Sequence, residues 1–203
     1  MKLHWSPRSP FVRKVMIVAH ECGLADRLQC VRTVAEMTKP HAELMRDNPL
    51  SKIPTLVLDD GTALYDSPVI CEYLDGLGGE PKLFPQQGRA RIVALRRQAL
   101  GDGFLDLLVL KRNERLRTQP SEAHLASAAA RTAAVLDHLN GEASTLATDP
   151  FGIGHIAIGC ALSYLDFRFA DENWRRDHER LANWHSFFTA RPSARATLPV
   201  DDS

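Results

Sequence analysis

The sequence NPLSKIPTL at residues 48–56 places a proline where a strand begins, and this stretch decides the fold of the first part of the chain. Proline has no backbone N–H, so it is excluded from a strand interior but can stand at a strand's first residue. Pro54 precedes an apolar run that begins at Thr55, so we expect it to open a strand. The Ile53–Pro54 bond can be trans, like most X-Pro bonds, or cis, like about 5–6% of them. A cis bond would turn the backbone N–H and C=O of Ile53 outward, where an extended ligand could pair with them.

Short β-type runs alternate with helical patterns on both sides of this stretch, up to about residue 80. Asp59-Asp60-Gly61 is a hairpin signal between two such runs. The order of the elements predicts a small, four-stranded sheet with mixed strand directions and helices packed on it. The predicted strands are 3–5, 28–33, 55–58 and 63–65, and the predicted helices are 10–22, 40–46 and 67–77.

Glycine and proline are dense at residues 78–88, which read GGEPKLFPQQG, and the strand signals end there. Beyond this segment, apolar residues recur at helical spacing. The most apolar segment, 153–169, predicts a buried central helix. The other predicted helices are 89–117, 121–139 and 178–190. We therefore predict a first domain at 1–78, a linker at 79–88 and an all-α helical bundle at 89–203.

Composition argues against several classes of protein. The net charge of zero gives no support for binding nucleic acid or an anionic membrane. The apolar stretches are too short to span a bilayer, and the N-terminal residues do not resemble a signal peptide. The cysteines follow no metal or disulfide spacing, and the histidines show no ligand spacing, so we expect reduced thiols and no metal. These features predict a cytoplasmic protein. The cysteines are Cys22, Cys30, Cys71 and Cys160.

Ser9 and Pro10 form a good start for the first helix, with serine as the N-cap and proline at the first helical position. This capping role is sufficient to explain both residues. A hydroxyl at a helix N-terminus also lies where free N–H groups and the helix dipole favour an anion. A thiolate bound there would have a lowered pKa. Ser9 would then donate a hydrogen bond to a substrate thiolate without becoming a nucleophile itself.

Asp66, Ser67 and Pro68 repeat this arrangement, with Ser67 as the expected N-cap. The free N–H groups and the hydroxyl of Ser67 could also hold a carboxylate. Asp66 beside it could pair with an ammonium group. Together they suit the α-amino-acid end of a ligand.

The order and spacing of these segments resemble the cytosolic glutathione transferase superfamily, most closely its bacterial and plant members with serine directly before Pro-Phe. The resemblance covers the whole chain and implies an α/β thioredoxin-like, glutathione-binding domain followed by the helical domain. The residues that carry it are Ser9 to Arg13, Asn48-Pro49, Ile53 to Leu56, Asp66-Ser67, Ile70, Tyr73-Leu74 and Leu83 to Pro85.

The resemblance implies a role for each matching residue. Ser9 would activate the glutathione thiol, and Ile53, before a cis-Pro54, would pair its backbone with the cysteinyl part. The γ-glutamyl end would be bound by Asp66 and Ser67. Candidates for the glycyl carboxylate are Lys39 and Lys52, although either can equally be a solvated surface charge. The resemblance also implies a homodimer.

Two registers compete for the key hydroxyl. The spacing of Ser6 and Ser9 is that of a thioredoxin Cys-x-x-Cys, whereas Ser9-Pro10-Phe11-Val12 resembles the glutaredoxin Cys-Pro-Tyr-Cys. The Pro10-Phe11 match favours Ser9 and leaves Ser6 as the alternative. Neither register has a cysteine, so dithiol–disulfide exchange is not expected.

A second-substrate pocket would be bounded by Trp5 or Phe11 and by the helix that carries Phe104, Leu108 and Arg112. Apolar residues at helical spacing are more often core than pocket, and the basic residues near Arg112 suit a solvated helix face.

The start of the predicted central helix departs from the family pattern. The family opens this helix with a Ser/Thr-x-x-Asp capping box, whereas this chain has Gly152 and His155 at those positions. We expect His155 to be unable to replace the carboxylate and consider Asp149 as a substitute cap.

Three functions fit the sequence. The first is conjugation of the glutathione thiolate to a small electrophile. The second is glutathione-dependent isomerisation, ether cleavage or dehalogenation. The third is a binding or regulatory role without catalysis, against which the complete Ser9, Ile53-Pro54 and Asp66-Ser67 set argues.

Overall fold

The computed structural model describes residues 1–202, which divide into two compact units. The first unit consists of Met1–Arg91 together with the segment from Pro192 onward, and the second is Ile92–Arg191. The sequence predicts a helical domain that runs from residue 89 to the end of the chain. The structure differs from this prediction mainly because the segment from Pro192 belongs to the first unit.

The first unit contains a four-stranded mixed sheet, as predicted, and its strand order is β2-β1-β3-β4. Strand β1 pairs parallel with β2 and antiparallel with β3, and β3 pairs antiparallel with β4. The strands are β1 (Lys2–Trp5), β2 (Gln29–Arg32), β3 (Thr55–Val57) and β4 (Ala63–Leu64). The helices of this unit are α1 (Pro10–Glu21), α2 (Ala42–Asp47), α3 (Ser67–Leu77) and, near the end of the chain, α8 (Pro192–Ala196).

The strand that begins at Thr55 and the hairpin that follows it are confirmed. The Ile53–Pro54 peptide bond is cis. Gly61 has a φ of 88°, a left-handed conformation that a glycine adopts without strain. The backbone N–H of Leu58 donates to the C=O of Thr62 at 2.8 Å, which closes the turn.

The segment from Pro192 packs against α1 within the first unit. The guanidinium of Arg13 donates to the C=O of Ala194 at 3.3 Å, and the hydroxyl of Ser193 bonds to the carboxylate of Glu21 at 2.5 Å. Sequence patterns are local, so they gave no sign of this return to the first unit.

The second unit consists of helices, as predicted. They are α4 (Gly88–Arg115, whose first residues belong to the first unit), α5 (Glu122–Thr148), α6 (Ile153–Arg168) and α7 (Glu179–Ala190). Helix α5 runs nine residues beyond its predicted end at Leu139, because Ala143 and Leu146 extend its buried face. Helix α6 is buried along Ile153 to Leu165, as expected for a central helix.

A close crossing of α4 and α6 depends on small residues. A Cβ atom added to Gly101 would lie 2.6 Å from the backbone carbon of Ala157. In the same way, a Cβ on Gly154 would lie 2.6 Å from the Cβ of Arg97. These glycines let the two helices approach more closely than larger side chains would allow.

The expectation for the start of α6 was wrong. The backbone N–H of Gly152 donates to Nδ1 of His155 at 3.1 Å, so the imidazole accepts the hydrogen bond that a carboxylate would otherwise accept. A neutral imidazole has one acceptor nitrogen, which makes this possible. Asp149 is not the substitute cap, because the N-cap is Gly152 and its N–H is already bonded to His155, while the Asp149 carboxylate bonds to Arg97 at 2.7 Å. No helix within residues 1–202 is long and apolar enough to cross a bilayer.

Candidate functional site

Ser9 lies at the N-terminus of α1, which starts beyond the carboxyl end of β1. It is the N-cap, as predicted, and its hydroxyl accepts a hydrogen bond from the N–H of Val12 at 3.3 Å. The proton of that hydroxyl has no acceptor among residues 1–202. Ser9 is half-buried, so its hydroxyl can still donate to an incoming anion.

Ser6, the alternative hydroxyl, is in a different environment. It is only 5% exposed, and its oxygen accepts from the N–H of Arg8 at 3.4 Å. Its C=O accepts from the N–H of Ser9 at 3.2 Å. The more accessible hydroxyl is therefore that of Ser9, although the choice between the two as thiol activator stays a prediction.

Asn48 organises the loop before Pro54, a role that sequence reasoning missed. Its buried amide donates to the hydroxyl of Thr55 at 2.9 Å and to the C=O of Lys52 at 3.1 Å. Its side-chain oxygen accepts from the N–H of Leu50 at 3.0 Å. The Asn-Pro pair was a signal for such a turn, because asparagine side chains bond to the backbone two residues on.

Ile53 follows this loop and is half-buried. Ile53 belongs to no helix or strand. Within residues 1–202, its backbone N–H and C=O form no hydrogen bond with another backbone group. The two groups are therefore available to a ligand. Pairing with glutathione stays a prediction.

The N-terminus of α3 differs by one residue from the expectation. Asp66 is the N-cap, and Ser67 is the first helical residue. The expected cap was Ser67, but a proline fits at either of the first two helical positions, so Pro68 did not fix the register. The exposed Asp66 carboxylate makes no capping hydrogen bond, and Ser67 is buried. The Tyr65–Asp66 bond is also cis.

The two lysines proposed for the glycyl carboxylate lie on the surface. Lys39 and Lys52 are both exposed, and no ion pair to either is found among residues 1–202. Their exposure fits the surface-charge interpretation as well as the binding one, so the assignment stays a prediction.

The residues proposed for the second-substrate pocket fall in different units. Trp5 and Phe11 are half-buried in the first unit. In the second unit, Phe104 and Leu108 are buried, as expected of core residues, whereas Arg112 is half-buried. Their assignment to a pocket remains a prediction.

Arg8, Arg32 and Asp202 form an ion cluster that the sequence did not indicate. The guanidinium of Arg32 donates to the Asp202 carboxylate from Nε at 2.7 Å and from Nη2 at 2.9 Å. Nε of Arg8 lies 3.1 Å from the same carboxylate. The hydrogen bonds from Arg32 are the largest cause that lowers the pKa of Asp202.

The described residues contain no group of three or more His, Cys, Asp or Glu side chains that could hold a metal ion. The half-buried thiol of Cys22, in the first unit, is unsuited to act as a nucleophile. Burial is the main cause that raises the pKa of Cys22 to about 11, with Asp75 as a second cause. Because the thiolate is the reactive form of cysteine, Cys22 is poorly reactive near neutral pH.

Comparison with known proteins identifies the family. Residues 8–77 match the family described as glutathione S-transferase, N-terminal domain, and residues 122–186 match the corresponding C-terminal domain. The chain is 32% identical to the uncharacterized GST-like protein YibF of Escherichia coli K12 over 98% of both chains.

Solved structures agree with these matches. A glutathione transferase family member from Pseudomonas fluorescens Pf-5, solved with bound glutathione, is 41% identical with a TM-score of 0.94 over 98% of both chains. A structure of a family member from the same strain with bound S-(propanoic acid)-glutathione is 39% identical, with a TM-score of 0.90 over 98% of this chain and 100% of that one. With its thioredoxin-like sheet unit and its helical unit, the chain belongs to the glutathione S-transferase superfamily.

Proposed function

We propose that this protein is a glutathione S-transferase that joins the thiolate of glutathione to a small electrophile. The observation that carries the proposal is the combination, within one unit, of three features suited to the tripeptide. These features are the hydroxyl of Ser9, the available backbone of Ile53 and the Asp66-Ser67 pair at the start of α3. The glutathione bound to the Pseudomonas relative supports the same ligand here.

Ser9 is proposed to activate the thiol. Its hydroxyl accepts from Val12 and has a proton to donate, so it would stabilise a thiolate more than a thiol. The positive end of the α1 dipole acts in the same direction. Both effects favour the charged form of the sulfur and so lower its pKa.

The rest of the tripeptide would be held along the same unit. The backbone N–H and C=O of Ile53 would pair with the cysteinyl residue. The N-terminus of α3 with Ser67 would bind the γ-glutamyl carboxylate, and the free carboxylate of Asp66 would bind its ammonium. Lys39 or Lys52 would bind the glycyl carboxylate.

The proposed reaction needs no redox partner. The sulfur of the thiolate supplies the electron pair for a new sulfur–carbon bond. In a substitution, the leaving group departs with the electron pair of the broken bond. In an addition to an activated double bond, a proton from water completes the α-carbon. The protein contributes by positioning the two reactants and by stabilising the thiolate.

We also propose that the protein acts as a homodimer in the cytoplasm. Family membership supports both statements. Sedimentation of the purified protein across a concentration series measures the first, and fractionation of the source cells measures the second.

The test combines calorimetric titration with glutathione and product analysis by mass spectrometry using 1-chloro-2,4-dinitrobenzene. We expect binding of glutathione and release of chloride with formation of the dinitrophenyl conjugate. Binding without turnover of this or other electrophiles would contradict catalysis and favour a binding protein. An absence of glutathione binding would overturn the proposal itself.

A further inference from the structure

Arg8 and Arg32 already hold a carboxylate, which belongs to the chain itself. Arg32 contacts both oxygens of Asp202 through Nε and Nη2, at 2.7 and 2.9 Å. This two-point contact between guanidinium and carboxylate is the geometry that arginine uses to recognise carboxylate ligands. A further bond, from Nη1 of Arg32 to the C=O of Thr33 at 3.1 Å, fixes the orientation of the guanidinium.

The topology of the sheet places this carboxylate at the edge where Ser9 lies. Strands β1 and β2 are parallel, and Trp5 is the register partner of Arg32. The carboxyl ends of parallel strands meet at the same edge of a sheet, where α/β folds commonly bind ligands. The chain continues from Trp5 into the loop that carries Arg8, and Arg8 directly precedes Ser9.

The segment that supplies Asp202 lies on the surface, where Leu198 is 60% and Val200 is 56% exposed. Its backbone is tied to this loop by a bond from the N–H of Val200 to the C=O of Pro7 at 3.4 Å. Asp202, Arg8 and Arg32 are partly exposed, with 31%, 25% and 34% of their side chains accessible. Ion pairs that water reaches contribute little to stability, so another carboxylate can replace the internal one at small cost.

We propose that Arg8 and Arg32 bind a carboxylate of the second substrate, and that Asp202 occupies this place when no such substrate is bound. The inference rests on the proposed glutathione transferase function and names the substrate class: a small electrophile with a carboxylate at the end remote from its reactive carbon. The sulfur–carbon bond forms at the reactive carbon, and the carboxylate is unchanged by the reaction.

Two charges make the pair selective for an anion. Both guanidinium groups pair with the carboxylate of Asp202, and Arg8 also forms a longer ion pair with Asp201, at 3.9 Å, so one positive charge is in excess when Asp202 leaves. When a substrate carboxylate enters, Asp202 is released to water. A neutral substrate of the same shape has no group to exchange for Asp202.

The experiment compares two conjugates by calorimetry: glutathione with a propanoic acid group on its sulfur, and the primary amide of that conjugate. The two have nearly the same shape and differ in charge. We expect the wild type to bind the acid more tightly than the amide. Arg32→Gln should weaken binding of the acid by up to about fivefold, as loss of a partly exposed ion pair does, and leave the amide unchanged.

Asp202→Asn gives the opposite expectation. Loss of the internal competitor should tighten binding of the acid severalfold without changing that of the amide. Asp26→Asn is the matched control, because it removes the same charge from an exposed position just before the start of β2, at the other end of the strand from Arg32, and should change neither affinity by more than twofold. Thermal unfolding of each variant establishes that it is folded.

Binding of glutathione itself distinguishes failure of the carboxylate site from failure of the proposed function. If the wild type and all variants bind glutathione normally but bind acid and amide equally, the carboxylate site is overturned and the proposed function stands. If Asp202→Asn weakens binding of the acid, Asp202 is no competitor and the proposal is also overturned. If neither glutathione nor either conjugate binds, the proposed function and the carboxylate site fail together.

Discussion

The side-chain amide of Asn48 donates a hydrogen bond to the hydroxyl of Thr55 at 2.9 Å, and both residues are almost fully buried. The hydroxyl of Thr55 in turn donates to the C=O of Lys52 at 2.8 Å. These bonds span the loop that leads into the Ile53–Pro54 pair. They fix the backbone where the middle of the tripeptide is proposed to bind.

Replacement of Asn48 by alanine should therefore loosen this loop. We expect a loss of about 1–3 kcal/mol in the free energy of unfolding, because buried partners are left without their hydrogen bonds. Affinity for glutathione should fall as well. Urea unfolding and calorimetry measure the two effects. Asn183→Ala, at an exposed position of α7, serves as the control and should change both quantities little. Unchanged stability in Asn48→Ala would contradict the role given to this network.

Two glycines of α4 give opposite predictions for the same substitution. A Cβ on Gly101 would lie 2.6 Å from the backbone of Ala157, so Gly101→Ala should destabilise the protein by about 1–3 kcal/mol through overpacking. Gly103 has nothing within 4 Å of such an atom. Gly103→Ala should therefore stabilise the helix by about 0.5–1 kcal/mol. Denaturant unfolding compares the two variants, and equal effects would contradict the close crossing of α4 and α6.

His155 should make the protein sensitive to mild acid. The pKa of His155 lies below its ordinary value. Burial is the main cause, and the positive charge of Arg97 is the second. In the unfolded chain its pKa is about 6.5, so the unfolded state binds more protons below that pH. The contribution of neutral His155 is thus complete above about pH 6.5 and is lost as the pH falls below it.

His155→Gln tests this dependence, since the Gln side chain can still offer an acceptor to the N–H of Gly152 but does not titrate. Urea unfolding at a series of pH values from 7 to 5 should show a smaller loss of stability in the variant than in the wild type. Parallel curves for the two proteins would mean that His155 does not titrate as inferred.

Local chemistry in the sequence predicted much of the first unit. Pro54 marked the start of a strand, the Asp-Gly pair marked the hairpin, and Ser9-Pro10 marked the start of α1. Each of these depends on one or two residues and on the backbone restrictions that they impose. The four-stranded mixed sheet and the helical second unit followed from the order of such signals.

The features that the sequence did not predict correctly also have physical reasons. The α3 cap was assigned one residue late because proline is accepted at more than one early helical position. His155 was expected to be unable to replace a carboxylate, whereas the hydrogen bond at the helix start needs only an acceptor, which a neutral imidazole offers. The return of residues after Pro192 to the first unit, and the contact of Asp202 with Arg32, join residues far apart in sequence, and no local pattern encodes them.

The central claim is that Ser9 stabilises the thiolate of bound glutathione, and its direct test is the pH titration of the thiolate absorbance of the bound ligand. The wild type and Ser6→Ala should show a thiol pKa below that of free glutathione, and in Ser9→Ala this lowering should be reduced, while glutathione still binds. An unchanged thiol pKa in Ser9→Ala would contradict the claim and assign the activation to Ser6 or to the backbone N–H groups of α1.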